Sequence, residues 1–515
     1  MSSSPTGSSS APLPSGPRAV LLASLVALLL LLAFPAALRN PDEPRDCEIG
    51  REWAAGTWSR IPRFNGEPYW SKPPLFHVSV GAAMSATGSR DEVVPKVVAG
   101  LWGVAAVAAT AALGEALLGP GLGLLAGLML LATHYFFQRY RIATTDTAYA
   151  ALSTLSMLGF FLARRSERAR DWALMGAAAG LAALAKGAHG LLLPFLAGGA
   201  VLAAGGEARR ILAPRFLGAL LLGAALFSTW LTLLRFDVAA GGGPGLVHAF
   251  LFENLERRFG DAAHHDAPWY HYGSLAGRAL PWTIVALAGA WGALARRGEV
   301  RERLLGPLLW AAATTLALSL ASGKRSVYLL PVLPAVALLA AGTVDTAARG
   351  LLPPWPERIV RWTVELGSMP VRWTPFARRG LVARAVAAAL IVAAGNFAYA
   401  LAVVGPASRA ESLAPVARRA AEIAGSRTLV LFRATREDVA EFAFALDRTI
   451  PVAGNVEELR RLAAAAPVAI LVRRGVPEKS IARGFLTRPT FDRWAHLGPA
   501  RAPGEAFDLY AWDGK

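Results

Sequence analysis

The chain is short of charge and almost without cysteine, and its last hundred or so residues lack a nucleotide-binding glycine fingerprint. Of its 515 residues, 17% are Asp, Glu, Lys or Arg and 54% are hydrophobic. A soluble protein carries about a quarter charged residues, so an ordinary soluble globular chain is excluded. The single cysteine, Cys47, excludes an internal disulfide framework. Acids are scarcer than bases, 36 against 53, which leaves a net charge of +17. The arginines responsible cluster in loops between apolar runs, where membrane orientation and anionic headgroups explain them better than nucleic acid does. A clear internal repeat, as many transporters carry, is also missing.

Present instead are uncharged runs of membrane-crossing length, for which roughly 20 apolar residues are needed. They lie at 19–38, 97–114, 116–138, 147–163, 172–185, 187–206, 216–234, 279–295, 304–323, 326–344 and 385–408. About eleven transmembrane helices are therefore expected, with the two termini on opposite sides. Residues 1–18 are rich in Ser, Pro and Gly and are expected to be disordered. The apolar core of 19–38 exceeds the usual length in a signal peptide, so it is read as a retained span. A cytoplasmic N-terminus places the arginine-rich segments 164–171, 207–215, 296–303 and 349–384 in the cytoplasm, as the positive-inside rule prefers. The other face is then exterior. It holds the first loop (39–96), the Arg139–Asp146 turn, Lys186, the long loop 235–278, the SGKRS turn and the chain after 408.

That exterior face holds the chemistry. Asn40–Pro74 carries Asp42, Glu43, Arg45, Glu48, Arg51, Arg60, Arg63 and Lys72 at the mouth of the first span. Charges so dense near lipid are costly unless they pair or bind a ligand. Two helices lying along the interface are expected in this loop, over 49–57 and 73–88. After 408 the apolar runs shorten and alternate with charged helical patterns, which predicts a small α/β exterior domain over 409–515.

Asp42 and Glu43 read either as a solvated helix end or as a general base with its support. Asp146, before an apolar run, is either a helix N-cap or a second functional acid, and the two roles are compatible. Lys72, Lys186, Lys324 and Arg325 are each explained singly by snorkelling to headgroups. Four such cations on one face, beside acids, point instead to a polyphosphate or a phosphate-bearing lipid. In the long loop, Glu253, Asn254, Arg257 and Arg258 have the spacing of one helix. His264, His265, Asp266 and His271 invite a metal, but their spacing matches no established ligand set, so none is expected. Trp269, Tyr270 and Tyr272 fit interface anchors, or a platform for a sugar.

These pieces resemble the polytopic GT-C glycosyltransferases, in particular the bacterial aminoarabinose transferases that modify lipid A and the protein O-mannosyltransferases. The matching segments are DEPRDCEIGREWAAGTWSRIPRFNGEPYWSKPPLFH, TTDTAYA, LAALAKGAHGLLLP, FENLERRF with HHDAPWYHY and LPW, and SGKRSVYLLPVLPAVALL, in family order over 19–345. The resemblance implies an inverting transferase that uses a polyprenyl-phosphate sugar, such as an undecaprenyl phosphate one, at the periplasmic face of a bacterial inner membrane. Asp42 would be the base, with Glu43 and Asp146 as further catalytic acids. Arg45, Lys72, Lys186, Arg257, Arg258, His265, Lys324, Arg325 and Tyr328 would surround the lipid phosphate and sugar. The acceptor would be a lipid, a protein or a glycan, no metal would be obligatory, and the chain would act as a monomer. Where aminoarabinose transferases have a tyrosine soon after the acid pair, this chain has Asp46, and Ser71 replaces their acid before Lys72. The competing reading is a transporter or flippase of lipid-linked substrates, separable by sugar transfer in detergent, where no gradient exists.

Overall fold

The computed structural model describes residues 13–33, 37–38, 42–56, 61–69, 71–235, 267, 269–321, 324–473, 492–497 and 507–512. Most of these are helical. Helix α1 (Pro17–Leu32) is apolar all round but is sorted by size: Ala19, Ala23, Ala27 and Leu31 are buried while Leu21, Leu25 and Leu29 face outward. Small residues let helices approach closely where lipid competes equally well for leucine. Through this stripe α1 packs on α4 (Val93–Leu117) and α5 (Leu122–Ala132). Between α1 and α4 lie α2 (Asp42–Ala54), the hairpin strands β1 (Arg63–Phe64) and β2 (Glu67–Pro68), and α3 (Leu75–Thr87).

The expected run 116–138 breaks into two helices. Glu115 stays inside α4, and the Gly119-Pro120-Gly121 turn, with Gly121 at φ 82°, separates it from α5. The Glu115 carboxylate accepts the N–H groups of Gly16, Gly121 and Gly123 at 2.7, 3.0 and 2.9 Å. One acid thus satisfies otherwise orphaned donors at the starts of both α1 and α5. A second break at Thr133 leads to the short α6 (His134–Arg139).

The chain continues through α7 (Thr145–Ser166), α8 (Ala169–Lys186), α9 (His189–Ala204), α10 (Pro214–Arg235), α11 (Tyr270–Arg278), α12 (Thr283–Ala295) and α13 (Glu299–Ser319). A 3₁₀ turn over Ser326–Val332 feeds α14 (Leu333–Ala348), followed by α15 (Pro354–Ser368), α16 (Leu381–Tyr399) and α17 (Gly405–Glu411). Five stretches among the described residues are long and apolar enough to cross a membrane: Val93–Leu117, Thr145–Ser166, Pro214–Leu233, Ser326–Ala348 and Leu381–Ala424. Shorter apolar helices, among them α1, α5, α9 and α12, accompany them.

Residues after 411 form a five-stranded sheet of order β4-β3-β5-β7-β6, from β3 (Thr428–Phe432), β4 (Val452–Ala453), β5 (Val468–Arg473), β6 (Asp492–Leu497) and β7 (Phe507–Trp512). Strands β4, β3 and β5 run parallel, as helical crossovers require, while β7 and β6 add antiparallel. Helices α18 (Ala414–Ala424), α19 (Arg436–Ala445) and α20 (Val456–Ala465) complete this unit. Thr435 and Asp438 close a capping box at α19, and Asn455 caps α20 through the Glu458 N–H.

Candidate active site

Helix α2 is the centre of the site, and it departs from the expected interface helix over 49–57. It begins at Asp42, so both acids sit in its first turn, where the helix dipole favours negative charge. Glu43, Pro44, Asp46, Cys47, Glu48, Ile49, Gly50, Arg51 and Glu52 are all buried. Protein, not lipid or water, covers it: α3 on one side and α19 on another. The contact with α3 is close because two glycines face each other. A Cβ on Gly81 would stand 2.5 Å from Trp53 Cε3 and 2.7 Å from the Gly50 carbonyl.

A buried charge must be paired and hydrogen-bonded, and each acid of α2 is. Asp42 accepts from Arg45 at 2.5 Å and from Arg325 at 2.9 Å. Glu43 pairs with Lys96 at 2.8 Å and accepts the Ala143 N–H at 2.6 Å. Asp46 meets His77 at 3.3 Å, Lys72 at 3.5 Å and Arg45 at 3.6 Å, and accepts the Thr145 N–H at 3.2 Å. Glu48 and Arg51 form a two-bond pair at 2.7 Å, and Glu52 accepts the Gly66 N–H at 3.1 Å. The Arg45 guanidinium also lies 5.7 Å from the Tyr69 ring centre.

Burial opposes ionisation of Asp42, yet Lys72, Arg45 and Arg325 outweigh it and hold the carboxyl down at about 2. Asp46 is buried more completely, and Lys72, the hydrogen bond from His77 and Arg45 keep it well below the usual carboxylate range. Burial lowers the pKa of His77 against the pull of Asp46, which leaves a neutral ring whose Nε2–H tautomer suits that acid. Burial pushes the Cys47 thiol up, so it is no nucleophile.

Asp146 and Lys186 lie at the same end of the bundle. Thr144, not Asp146, is the N-cap of α7; Asp146 stands in the first turn and pairs with Lys186 at the last turn of α8. Each charge thus complements its own helix dipole as well as its partner. The Lys186 ammonium lies 4.8 Å from the Tyr328 ring centre and 5.6 Å from that of Tyr149. The SGKRS turn joins the two clusters, because Arg325 reaches Asp42 while Tyr328, three residues on, reaches Lys186. Lys324 is buried in this turn.

Nine of the twelve expected residues therefore gather here: Asp42, Glu43, Arg45, Lys72, Asp146, Lys186, Lys324, Arg325 and Tyr328. Arg257, Arg258 and His265 lie outside the described residues. Among the described residues no group of three or more His, Cys, Asp or Glu side chains is arranged to hold a metal. Sequence reasoning had missed His77 and Lys96, which pair with acids of α2, had read Asp46 only as a departure from relatives, and had missed Arg278, which lies 4.5 Å from the Tyr135 ring centre and 3.4 Å from Ser326 Oγ. The available signal was the dense spacing of charges in 42–52: a helix with an acid or base on every face has to be enclosed by partners.

Residues 71–232 match the family described as dolichyl-phosphate-mannose-protein mannosyltransferase. An undecaprenyl phosphate-alpha-4-amino-4-deoxy-L-arabinose arabinosyl transferase of Sodalis glossinidius is 30% identical over 62% of this chain and 58% of its own length. The corresponding transferase of Edwardsiella ictaluri is 31% identical over 63% of this chain and 59% of its own. The match thus spans less than two thirds of the length of these relatives. Among solved structures, ArnT from Cupriavidus metallidurans in the apo state superposes with a TM-score of 0.75 over 96% of this chain and 97% of that one, at 19% identity. The same protein bound to undecaprenyl phosphate gives 0.72 with equal coverage and identity. The central segment by sequence and nearly the whole chain by fold agree: the chain has the fold of the solved ArnT structures and is similar in sequence to aminoarabinose transferases and, over residues 71–232, to the protein mannosyltransferase family.

Proposed function

We propose that the chain is an inverting glycosyltransferase that moves a sugar from a polyprenyl-phosphate donor to a lipid, protein or glycan acceptor. The observation that carries this reading is Asp42, a carboxylate kept anionic at the start of an enclosed helix by Arg45, Lys72 and Arg325. Those cations are also the natural ligands of a lipid phosphate, whose oxygens suit the guanidinium fork. A carboxyl held near 2 is a poor base while it is clamped. When the donor phosphate draws Arg325 and Lys72 to itself, Asp42 loses part of that clamp and its proton affinity rises. Donor binding then arms the base.

In the transfer step Asp42 takes the proton of the acceptor hydroxyl as its oxygen bonds to the anomeric carbon. The bond from that carbon to the phosphate oxygen breaks on the opposite side, and the polyprenyl phosphate leaves with the electron pair. Lys72, Lys186, Lys324 and Arg325 would stabilise the charge on the departing phosphate, with Arg45, Arg257, Arg258, His265 and Tyr328 completing the donor site. Glu43 and Asp146 hold neighbouring cations in place. Side-chain cations can neutralise a phosphate monoester, so no divalent metal is needed; chelation should leave turnover intact, and loss restored by added metal would refute this.

The site and the sheet-containing unit after residue 408 are assigned to the periplasmic face of a bacterial inner membrane, with about eleven spans and the N-terminus in the cytoplasm. The test of function is transfer from labelled polyprenyl-phosphate sugar by purified protein in detergent. Asp42→Asn should lower turnover by about 10²- to 10⁴-fold, the usual worth of a general base. Near-parental turnover by a folded variant would remove Asp42 from that role, and a parent that transfers nothing would favour transport.

A further inference from the structure

The segment from Arg349 to Arg384 is read from sequence only as an arginine-rich cytoplasmic segment; much of it forms helix α15 and the turns that follow. Ser326–Ala348 is 23 residues long, and its first residues adjoin Arg325, the partner of Asp42. At the rise of helical backbone it spans roughly 35 Å, so 349–384 lies at the opposite end of the bundle from the Asp42 cluster. The next long apolar helix starts at Leu381. Both ends of the segment are thus fixed at the end of a membrane-length helix.

Helix α15 has an apolar arc about twice as wide as the protein covers. Pro356, Val360, Val364 and Ser368, four apart, are buried against α12 and α16. In the adjoining stripe Trp355, Trp362 and Leu366 are left outward, 69%, 61% and 57% exposed, with Ile359 half-buried between them. Trp373, in the following turn, is 70% exposed and has the Arg372 guanidinium 4.5 Å from its ring centre. Charged positions 357, 358, 361 and 365 take the remaining face. The segment has seven arginines and two glutamates, a net charge of +5.

We propose that α15 and the turns to Arg384 form an anionic-lipid platform, with the Trp355–Trp362–Leu366 stripe sunk into the headgroup layer opposite the Asp42 cluster. An amphipathic helix with tryptophan on one side and arginine beside it has the composition of an interfacial helix. Continuity with two membrane-length helices puts it at that depth, and its charge selects anionic over zwitterionic headgroups. This inference is independent of the transfer chemistry.

Depth is testable with the full chain reconstituted in vesicles of phosphatidylcholine and phosphatidylglycerol. Cys47 is buried, so a nitroxide label reports an introduced cysteine. Labels at Trp362→Cys and Leu366→Cys should collide more with oxygen than with a water-soluble nickel chelate, and labels at Arg358→Cys and Glu365→Cys should do the reverse. Equal water access at all four sites overturns the proposal, as does spin–spin broadening at 362 or 366, which would mean that a second copy covers the face. In lipid competition, the double variant Arg358→Gln/Arg378→Gln should lose preference for phosphatidylglycerol by about fivefold per charge. An unchanged preference overturns the anionic selectivity.

Discussion

Asp42 and Asp46 stand one turn apart on α2 and differ in access: Asp46 is enclosed, whereas Asp42 reaches out to an arginine that is half exposed. That difference separates a bracing acid from one that can meet substrate. Because the folded-state pKa of Asp42 lies below the ordinary value, its ion pairs contribute fully above about 4 and are lost only as the pH falls toward 2. The acid limb of kcat/KM, which reports the free enzyme, should therefore show no inflection from Asp42 between pH 5 and 7. An inflection in that range that disappears in Asp42→Asn would contradict the clamp. Asp42 was legible as a candidate because its neighbours in sequence are charged. Asp46 was legible only as a departure from relatives, since its partners Lys72, His77 and Thr145 lie 26 to 99 positions away.

At the scale of elements, apolar length made most of the helices readable. Helix α3 falls inside the expected 73–88, and α7 and α8 extend the runs 147–163 and 172–185 by a few residues at each end. The failures have a common cause. Charge was read as a boundary, so Glu115 was taken to end a helix that it instead occupies, and the acid-rich start of α2 was taken for loop. Asn65-Gly66 carried an unread signal: with both residues at positive φ they make the two-residue turn of the β1–β2 hairpin. The closest fit among these elements is α2 on α3 at Gly50 and Gly81. Gly81→Leu should cost about 1–3 kcal/mol through overpacking, seen as a lower melting temperature in detergent, with turnover falling in parallel because α2 carries Asp42. Gly88→Ala, in open space at the end of α3, tests only the left-handed backbone there and should leave turnover alone.

The whole molecule joins its helical bundle to the sheet-containing unit through α2. Arg51 reaches Asp447 at 2.9 Å, and the Asn65 amide both donates to the Ile450 carbonyl at 2.9 Å and accepts its N–H at 2.7 Å. Asp447 is 55% exposed, so its pair is screened and worth at most about 1 kcal/mol. Asn65 engages two backbone groups at once, and its loss leaves both without their partner at roughly 1–3 kcal/mol each when water cannot replace it. Asn65→Ala should thus loosen the unit far more than Asp447→Ala, measured as faster amide exchange across α19 and β4. The sequence announced this unit by its change of texture after 408. It gave no sign of the docking, which depends on pairs nearly 400 residues apart.

Those separations also set an order of assembly. Helix α2 is made soon after α1, yet Arg325 arrives 283 residues after Asp42 and Asp447 arrives 396 residues after Arg51. Until then Asp42 and Arg51 pair within α2, with Arg45 and Glu48, and the helix waits without its most distant contacts while the rest of the chain is made. Contacts that close so late are slow to nucleate. Helix α2 is therefore among the first pieces synthesised and among the last to be locked, so a chain cut short before Asp447 would leave the Arg51 contact unmade.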